Sequence, residues 1–338
     1  MSPTMTEADI RAALAAFNLG DRVEGVHARD GLAQVSLRAS REEAAGLEPL
    51  RREIEARLRT LPGVTAATVV LTAPAQAAPA AAEAPLLPGV KHVLAVASGK
   101  GGVGKSTVSV NLAVALAGLG LKTGLLDADI YGPSLPTMLG IAERPVITGN
   151  RIQTLDAFGV KSMSMGYLVP ESRALIWRGP MVMGALTQML GQVEWGELDI
   201  MVVDLPPGTG DAQLTLVQKA RPAGAVIVST PQDLALADAR RAIQMFGQAG
   251  VRLVGLIENM SWFCCPACGH RAEIFGHGGA RAEAEKLGVP FLGEIPLDMA
   301  VRAAGDAGRP VAALPESGPV AAGFHAVAAE VARALGLA

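Results

Sequence analysis

Apolar positions along the chain fall into two patterned regions separated by a stretch with no period. In the first region, Ile10, Leu14 and Phe17 share one helical face behind Thr6 and Asp9, a pairing that starts helices. Val23–Ala28 and Leu32–Leu37 alternate as two short strands around Arg29-Asp30-Gly31, a hairpin turn signal. Leu47, Leu50, Ile54, Leu58 and Leu61 recur at helical spacing until Pro62-Gly63, and Val64–Leu71 is rich in strand formers. The order αββαβ predicts a small α+β domain over residues 1–72. With no cysteine and one histidine, His27, it carries no legible chemistry, so a docking or scaffolding role is expected.

Residues 73–84 hold eight Ala and two Pro in twelve positions, which erases any amphipathic period. Residues 73–90 therefore read as an extended linker. Beyond it, residues 91–338 alternate short apolar runs with helical stretches. Strands are expected at His92–Ala97, Thr123–Asp127, Ile200–Asp204, Ala225–Ser229 and Leu253–Ile257. Strands separated by helices predict βαβ units and a largely parallel sheet flanked by helices, an α/β class.

Composition narrows the classes. Hydrophobic residues make up 50% and charged residues 18%, which excludes global disorder. A net charge of −3 gives no electrostatic reason to expect nucleic acid or an anionic membrane as partner. No apolar run approaches the roughly 20 residues of a membrane span. Glu7 and Asp9 precede any apolar stretch, unlike a signal peptide, so a cytoplasmic location is expected.

Gly99-Lys100-Gly101-Gly102-Val103-Gly104-Lys105-Ser106-Thr107 fits G-x-x-x-x-G-K-[ST] after an expected strand and before an expected helix. Glycines let backbone N–H groups curl around a phosphate, and the helix N-terminus adds its dipole. Lys105 is expected to reach the β- and γ-phosphates, and the Ser106 hydroxyl to ligate Mg²⁺. With its second lysine, Lys100, the loop resembles the deviant Walker A class of P-loop ATPases that includes MinD and ParA. The resemblance implies a homodimer in which Lys100 reaches the partner's nucleotide. It also implies that Asp204, ending an apolar strand, holds Mg²⁺ through water, and that Asp204–Asp211 is a switch segment. Asp129 is expected to orient the attacking water, and Asp127 to support the Mg²⁺ shell. The resemblance further implies that Asn259, after the strand Leu253–Ile257, reads the adenine of ATP, with Pro231 and Gln232 as weaker candidates for the base wall.

All three cysteines, Cys264, Cys265 and Cys268, lie within five positions, which suits metal or thiol chemistry rather than a disulfide framework. Cys265 and Cys268 form a CxxC. Two thiolates complete neither a zinc site nor a four-iron cluster. The missing ligands come from His270 and His277, from Cys264, or from a second chain; a dithiol redox pair is the other reading. Two pairs in a homodimer would hold a labile bridging [4Fe–4S] cluster.

The motif set from Lys91 to Leu335 resembles the Mrp/ApbC branch of the deviant Walker A ATPases. It includes Asp129-Ile130-Tyr131-Gly132-Pro133-Ser134, Trp177-Arg178-Gly179-Pro180, Glu258-Asn259-Met260-Ser261 and Cys265–Gly269. The resemblance implies ATP hydrolysis coupled to delivery of an iron–sulfur cluster, taken from a scaffold or donor, to apoprotein clients. Residues 1–72 resemble the small domain of iron–sulfur assembly factors, without its reactive cysteine. Trp177–Pro180 is expected to pack the core, the alternatives being a place in the dimer interface or an Arg178 contact with the partner. The competing function is a MinD- or ParA-like positioning ATPase with a structural zinc CxxC. Such proteins need a membrane-seeking helix or a DNA-binding surface; the tail Ala321–Ala338 is apolar and helix-prone but carries only one Arg, Arg333, which is poor for an anionic surface.

Overall fold

The structure, a computed structural model, describes residues 6–17, 19–29, 31–39, 43–72, 86–169, 179–314 and 318–337. The chain divides into two compact units, Met1–Glu83 and Ala84–Ala338. In the first, α1 (Glu7–Leu14) starts at a capping box in which the Asp9 amide donates to Thr6 Oγ1 and the Thr6 amide donates to the Asp9 carboxylate. β1 (Val23–Arg29) pairs antiparallel with β2 (Leu32–Arg38), and β2 pairs parallel with β3 (Ala66–Thr72). α2 (Ala44–Arg59) brings fully buried Ile54 and Leu58 into a core with Ile10, Val35 and Val69. The αββαβ order is as the periodicity predicts.

The second unit opens with β4 (Val90–Ala97), α3 (Lys105–Gly118), β5 (Thr123–Asp127) and α4 (Leu135–Leu139). Short strands β6 (Ile147–Thr148), β7 (Arg151–Ile152) and β8 (Leu155–Ala157) lead to β9 (Val160–Ser164), α5 (Met165–Leu168) and α6 (Gly179–Gly191). β10 (Leu198–Asp204), α7 (Asp211–Ala220), β11 (Gly224–Ser229) and α8 (Asp233–Gln248) follow. The remainder is β12 (Leu253–Cys264), β13 (Arg271–Ala272), α9 (Gly279–Leu287), β14 (Phe291–Leu297), α10 (Met299–Asp306) and α11 (Gly318–Ala334).

Strands β14, β12, β11, β4, β10, β5 and β9 lie side by side and parallel, and β8 and β13 add antiparallel pairings to β9 and β12. Side chains of the central strands alternate between two cores. Leu126, Met201 and Ile227 pack with Leu186, Leu216 and Phe246 on the face covered by α6, α7 and α8. Leu125, Val202 and Val226 pack with Leu116 of α3 and Phe324 of α11 on the other. Two covered faces explain why these strands read as continuous apolar runs.

Two segments differ from the sequence expectation. Residues 86–90, read as linker, belong to the second unit: Leu87 is buried in its core and β4 begins at Val90. The strand expected to end at Ile257 continues to Cys264, because β14 and β13 extend its pairing. The apolar tail lies in α11, whose buried Val320, Phe324, Val327 and Val331 line the core, so its apolar face is already covered. Residues 73–85 lie outside those described. Among the described residues, no helix is long and apolar enough to cross a membrane.

Candidate functional site

The loop between β4 and α3 adopts the conformation its glycines allow. Gly102 and Gly104 stand at φ +84° and +80°, the left-handed region open to glycine. Gly104 precedes the first residue of α3, so the helix N-terminus opens at the loop. At Gly99 a Cβ would meet the Asp238 backbone, which lets the loop lie against α8. Lys100 is exposed on the loop, and its carbonyl accepts from Ser98 Oγ at 2.9 Å.

Lys105 and Asp204 meet beneath this loop, Nζ to Oδ1 at 2.6 Å. Asp204 also accepts from Ser106 Oγ and Ser109 Oγ at 2.6 and 2.7 Å. A hydroxyl and a carboxylate side by side are the hard oxygen donors that suit Mg²⁺. Gly208, at φ +100°, donates its N–H to Ser98 O at 3.1 Å, and Gln213 Nε2 donates to Pro207 O at 2.7 Å. The segment leaving Asp204 is thereby tied to the end of β4.

Asp127 is buried and serves its own loop. Its carboxylate accepts from the Asp129, Ser134 and Leu135 amides and from Ser164 Oγ, at 3.0 to 3.4 Å. Burial and the neighbouring Asp204 charge nonetheless push its pKa up to about 7. Asp129 is half-buried; burial raises its pKa and the Lys105 charge opposes the rise. The structure thus gathers Lys105, Ser106, Asp127, Asp129 and Asp204 at the carboxyl ends of β4, β5 and β10, where open α/β sheets bind ligands.

Asn259 is buried, and its Nδ2 donates to Val103 O at 2.8 Å, pinning the phosphate loop from the β12 side. Beside it lies a pocket of about 510 Å³, lined by Gly104, Thr107, Asn259, Met260, Leu297 and Asp298 among others. Leu297 and Asp298 are absent from the sequence reading. The signal was present: like Asp127 and Asp204, Asp298 follows an apolar strand, and it caps α10 by accepting from the Ala300 amide at 2.7 Å. Pro231 and Gln232 do not line this pocket; Pro231 packs beneath Gly276 and Gly279 instead. Trp177 and Arg178 lie outside the described residues.

Cys265 and Cys268 sit on the turn between β12 and β13, closed by Cys265 N–His270 O and Gly269 N–Cys265 O bonds of 2.9 and 2.8 Å. The Ala267 and Cys268 amides and the Cys268 thiol all donate to the Cys265 sulfur, holding its pKa below the usual thiol value. Cys264 points elsewhere, toward Gly269 O at 3.5 Å. His277 is engaged with Ser261 Oγ at 2.9 Å. Among the described residues, no group of three or more His, Cys, Asp or Glu side chains is placed to hold a metal ion.

The geometry invites comparison with known proteins. Residues 89–332 match the family model described as NUBPL iron-transfer P-loop NTPase. The chain belongs to this family. A Deinococcus radiodurans iron–sulfur cluster carrier protein is 50% identical over 276 residues, 80% of this chain and 77% of that protein. An Arabidopsis thaliana iron–sulfur protein required for NADH dehydrogenase, mitochondrial, is 53% identical over 251 residues, 74% of this chain and 80% of that protein. Among solved structures, an Archaeoglobus fulgidus nucleotide-binding protein in complex with ADP aligns at TM-score 0.60 and 42% identity, covering 68% of this chain and 91% of that one. Pyrococcus furiosus MinD aligns at TM-score 0.55 and 21% identity, which establishes a shared fold alone. The NUBPL-family match covers the second unit; residues 1–88 lie outside it.

Proposed function

We propose that the protein is an ATP-dependent iron–sulfur cluster carrier. Two chains present Cys265 and Cys268 to one [4Fe–4S] cluster, and the cluster passes from a scaffold or donor to apoprotein clients. The observation that carries this reading is the CxxC turn itself, whose two sulfurs lie together at the end of the strand that also supplies Asn259 to the phosphate loop. One chain offers two thiolates where a four-iron cluster takes about four ligands, so a second copy completes the set. A cargo held half by each subunit is released when the subunits separate, which suits a carrier.

In this reading Lys105 and the loop amides hold the ATP phosphates, and Lys100 reaches toward the partner's nucleotide. Ser106 and Asp204 hold Mg²⁺, the latter through water, and that ion would neutralise charge on the β- and γ-phosphates. Asp129 orients the attacking water. Asp127 supports the site by fixing the Asp129–Leu135 loop. The pocket beside Asn259 takes the base.

Anaerobic reconstitution with iron and sulfide tests the proposal. About four irons per pair of chains are expected, lost in the Cys265→Ala/Cys268→Ala double variant. Iron content independent of these cysteines, with zinc retained, would overturn it in favour of a positioning ATPase with a structural knuckle.

A further inference from the structure

Strand β12 carries Asn259, the residue that holds the phosphate loop, and ends at Cys264, one residue before the CxxC turn. Between them the strand is not regular. Met260 stands at φ +56°, and the pairing with β14 slips between Asn259 and Phe263. A non-glycine residue in the left-handed region at a strand irregularity is held there by its surroundings.

Those surroundings form a directed chain of hydrogen bonds. The Ser261 hydroxyl, fully buried, donates to Glu258 Oε1 at 2.5 Å. With that proton committed, Ser261 Oγ accepts from His277 Nδ1 at 2.9 Å. His277 Nε2 lies 3.5 Å from the Arg271 guanidinium and 3.9 Å from the Glu294 carboxylate. Arg271 begins β13, the return strand of the thiol turn, pairs with Cys264 and lies over the Trp262 ring at 4.6 Å. Glu258 is also buried and accepts from the Gly278 and Ala280 amides at 2.9 and 2.7 Å, so the turn bearing His277 is anchored to β12. The chain therefore links the strand segment beside Asn259 to the far side of the CxxC turn. Neither His277 nor Arg271 lines the nucleotide pocket.

We infer that the Ser261–His277–Arg271 chain couples occupancy of the nucleotide pocket to the geometry of Cys265 and Cys268. The inference rests on the carrier reading above and names the regulation of that same site. A nucleotide base against Asn259 and Met260 bears on the irregular segment of β12. Ser261 moves with that segment, and His277 passes the shift to Arg271 and β13. His277 and Arg271 are positioning residues. Thermodynamic linkage makes the coupling reciprocal: cluster loading alters nucleotide affinity by the factor by which nucleotide alters cluster affinity.

The test uses the full chain and Mg·ADP as probe. Alkylation rates of Cys265 and Cys268 by iodoacetamide are mapped by mass spectrometry with and without Mg·ADP, and ADP affinity is measured by calorimetry. In wild type, ADP is expected to change the alkylation rate at least threefold. His277→Ala and Arg271→Ala should bind ADP within threefold of wild type, keep the melting temperature and lose the response. His277→Asn, whose amide can replace Nδ1 toward Ser261, should recover part of it. Undiminished responses in both alanine variants would overturn the coupling, as would wild-type thiols indifferent to bound ADP. In either case cysteine-dependent iron loading would still stand, whereas failure of wild type to load iron through these cysteines would overturn the carrier reading and this inference together.

Discussion

Lys105 Nζ lies 2.6 Å from Asp204 Oδ1, with side-chain exposures of 6% and 0%. The lysine expected on the nucleotide phosphates is thus held by a carboxylate that also engages Ser106 and Ser109. Under the proposed function, nucleotide phosphates would compete with Asp204 for Lys105, and Asp204 would then be free to serve a metal shell. Lys105→Ala removes that phosphate contact and is expected to lower ATP turnover by a factor on the order of 10² or more, measured as phosphate release. Iron loading should persist in this variant while delivery to an apoprotein acceptor slows. Delivery at the wild-type rate would separate the ATPase from transfer.

The two left-handed loop glycines make a controlled comparison. A Cβ at Gly102 meets nothing within 4 Å, whereas one at Gly104 would strike Asn259 Nδ2. Both substitutions carry the left-handed penalty of roughly 1–2 kcal/mol. Only Gly104→Ala also displaces the amide that pins Val103. It should weaken ADP binding by at least about tenfold more than Gly102→Ala, a difference of about 1.4 kcal/mol in calorimetric titration. Equal losses would mean that the Asn259 contact does not shape the loop.

Asp127 yields a pH prediction. Its pKa in the folded protein is about 7, against 3.8 for the ordinary carboxyl group. Between those values the folded state binds more protons than the unfolded state, so stability falls as pH rises through this window. The stabilisation is fully present below the unfolded value and lost above about pH 7. Asp127→Asn stays neutral throughout. Its melting temperature relative to wild type should therefore improve from pH 5 to pH 8. A pH-independent difference would show that Asp127 ionises in the fold as easily as outside it.

How much of this was legible in the sequence depended on whether the signal was local. The capping box at Thr6 and Asp9, the αββαβ order and the phosphate loop are written in neighbouring residues, and the structure follows them. Asp127 and Asp204 were legible as strand-ending carboxylates. Their division of labour was not: Asp127 faces the amides of a loop seven and eight residues away, and only the fold brings them together. Asn259 was legible as a strand-associated polar residue, but its bond to Val103 spans 156 positions. β12 was read too short because its apolar run stops at Ile257, while backbone pairing to β14 continues through polar Glu258 and Asn259 and resumes, with β13 as well, at Phe263. Glu258 and Ser261 stand in a legible motif and His277 was read as a candidate ligand, but the hydrogen-bonded chain that joins them was not legible, since it is set by side-chain direction.

The thiol turn gives the last prediction. The Cys265 sulfur accepts from two backbone amides and from the Cys268 thiol, and these bonds favour its ionised form. Its alkylation midpoint should lie below the ordinary thiol value of 9.0. Cys268→Ala removes the thiol donor while the main chain still supplies both amides, so the midpoint should rise but stay below that value. Replacing Pro266 by Gly loosens the turn that aims the amides, and should raise it further if they are the larger cause. The same variants separate acidity from capacity. Cys268→Ala retains a reactive Cys265 yet lacks half of the chain's ligand pair, so it should alkylate readily and fail to hold iron. A Cys268→Ala protein that loads iron like wild type would remove the paired-thiol basis of the carrier reading, whatever its Cys265 midpoint.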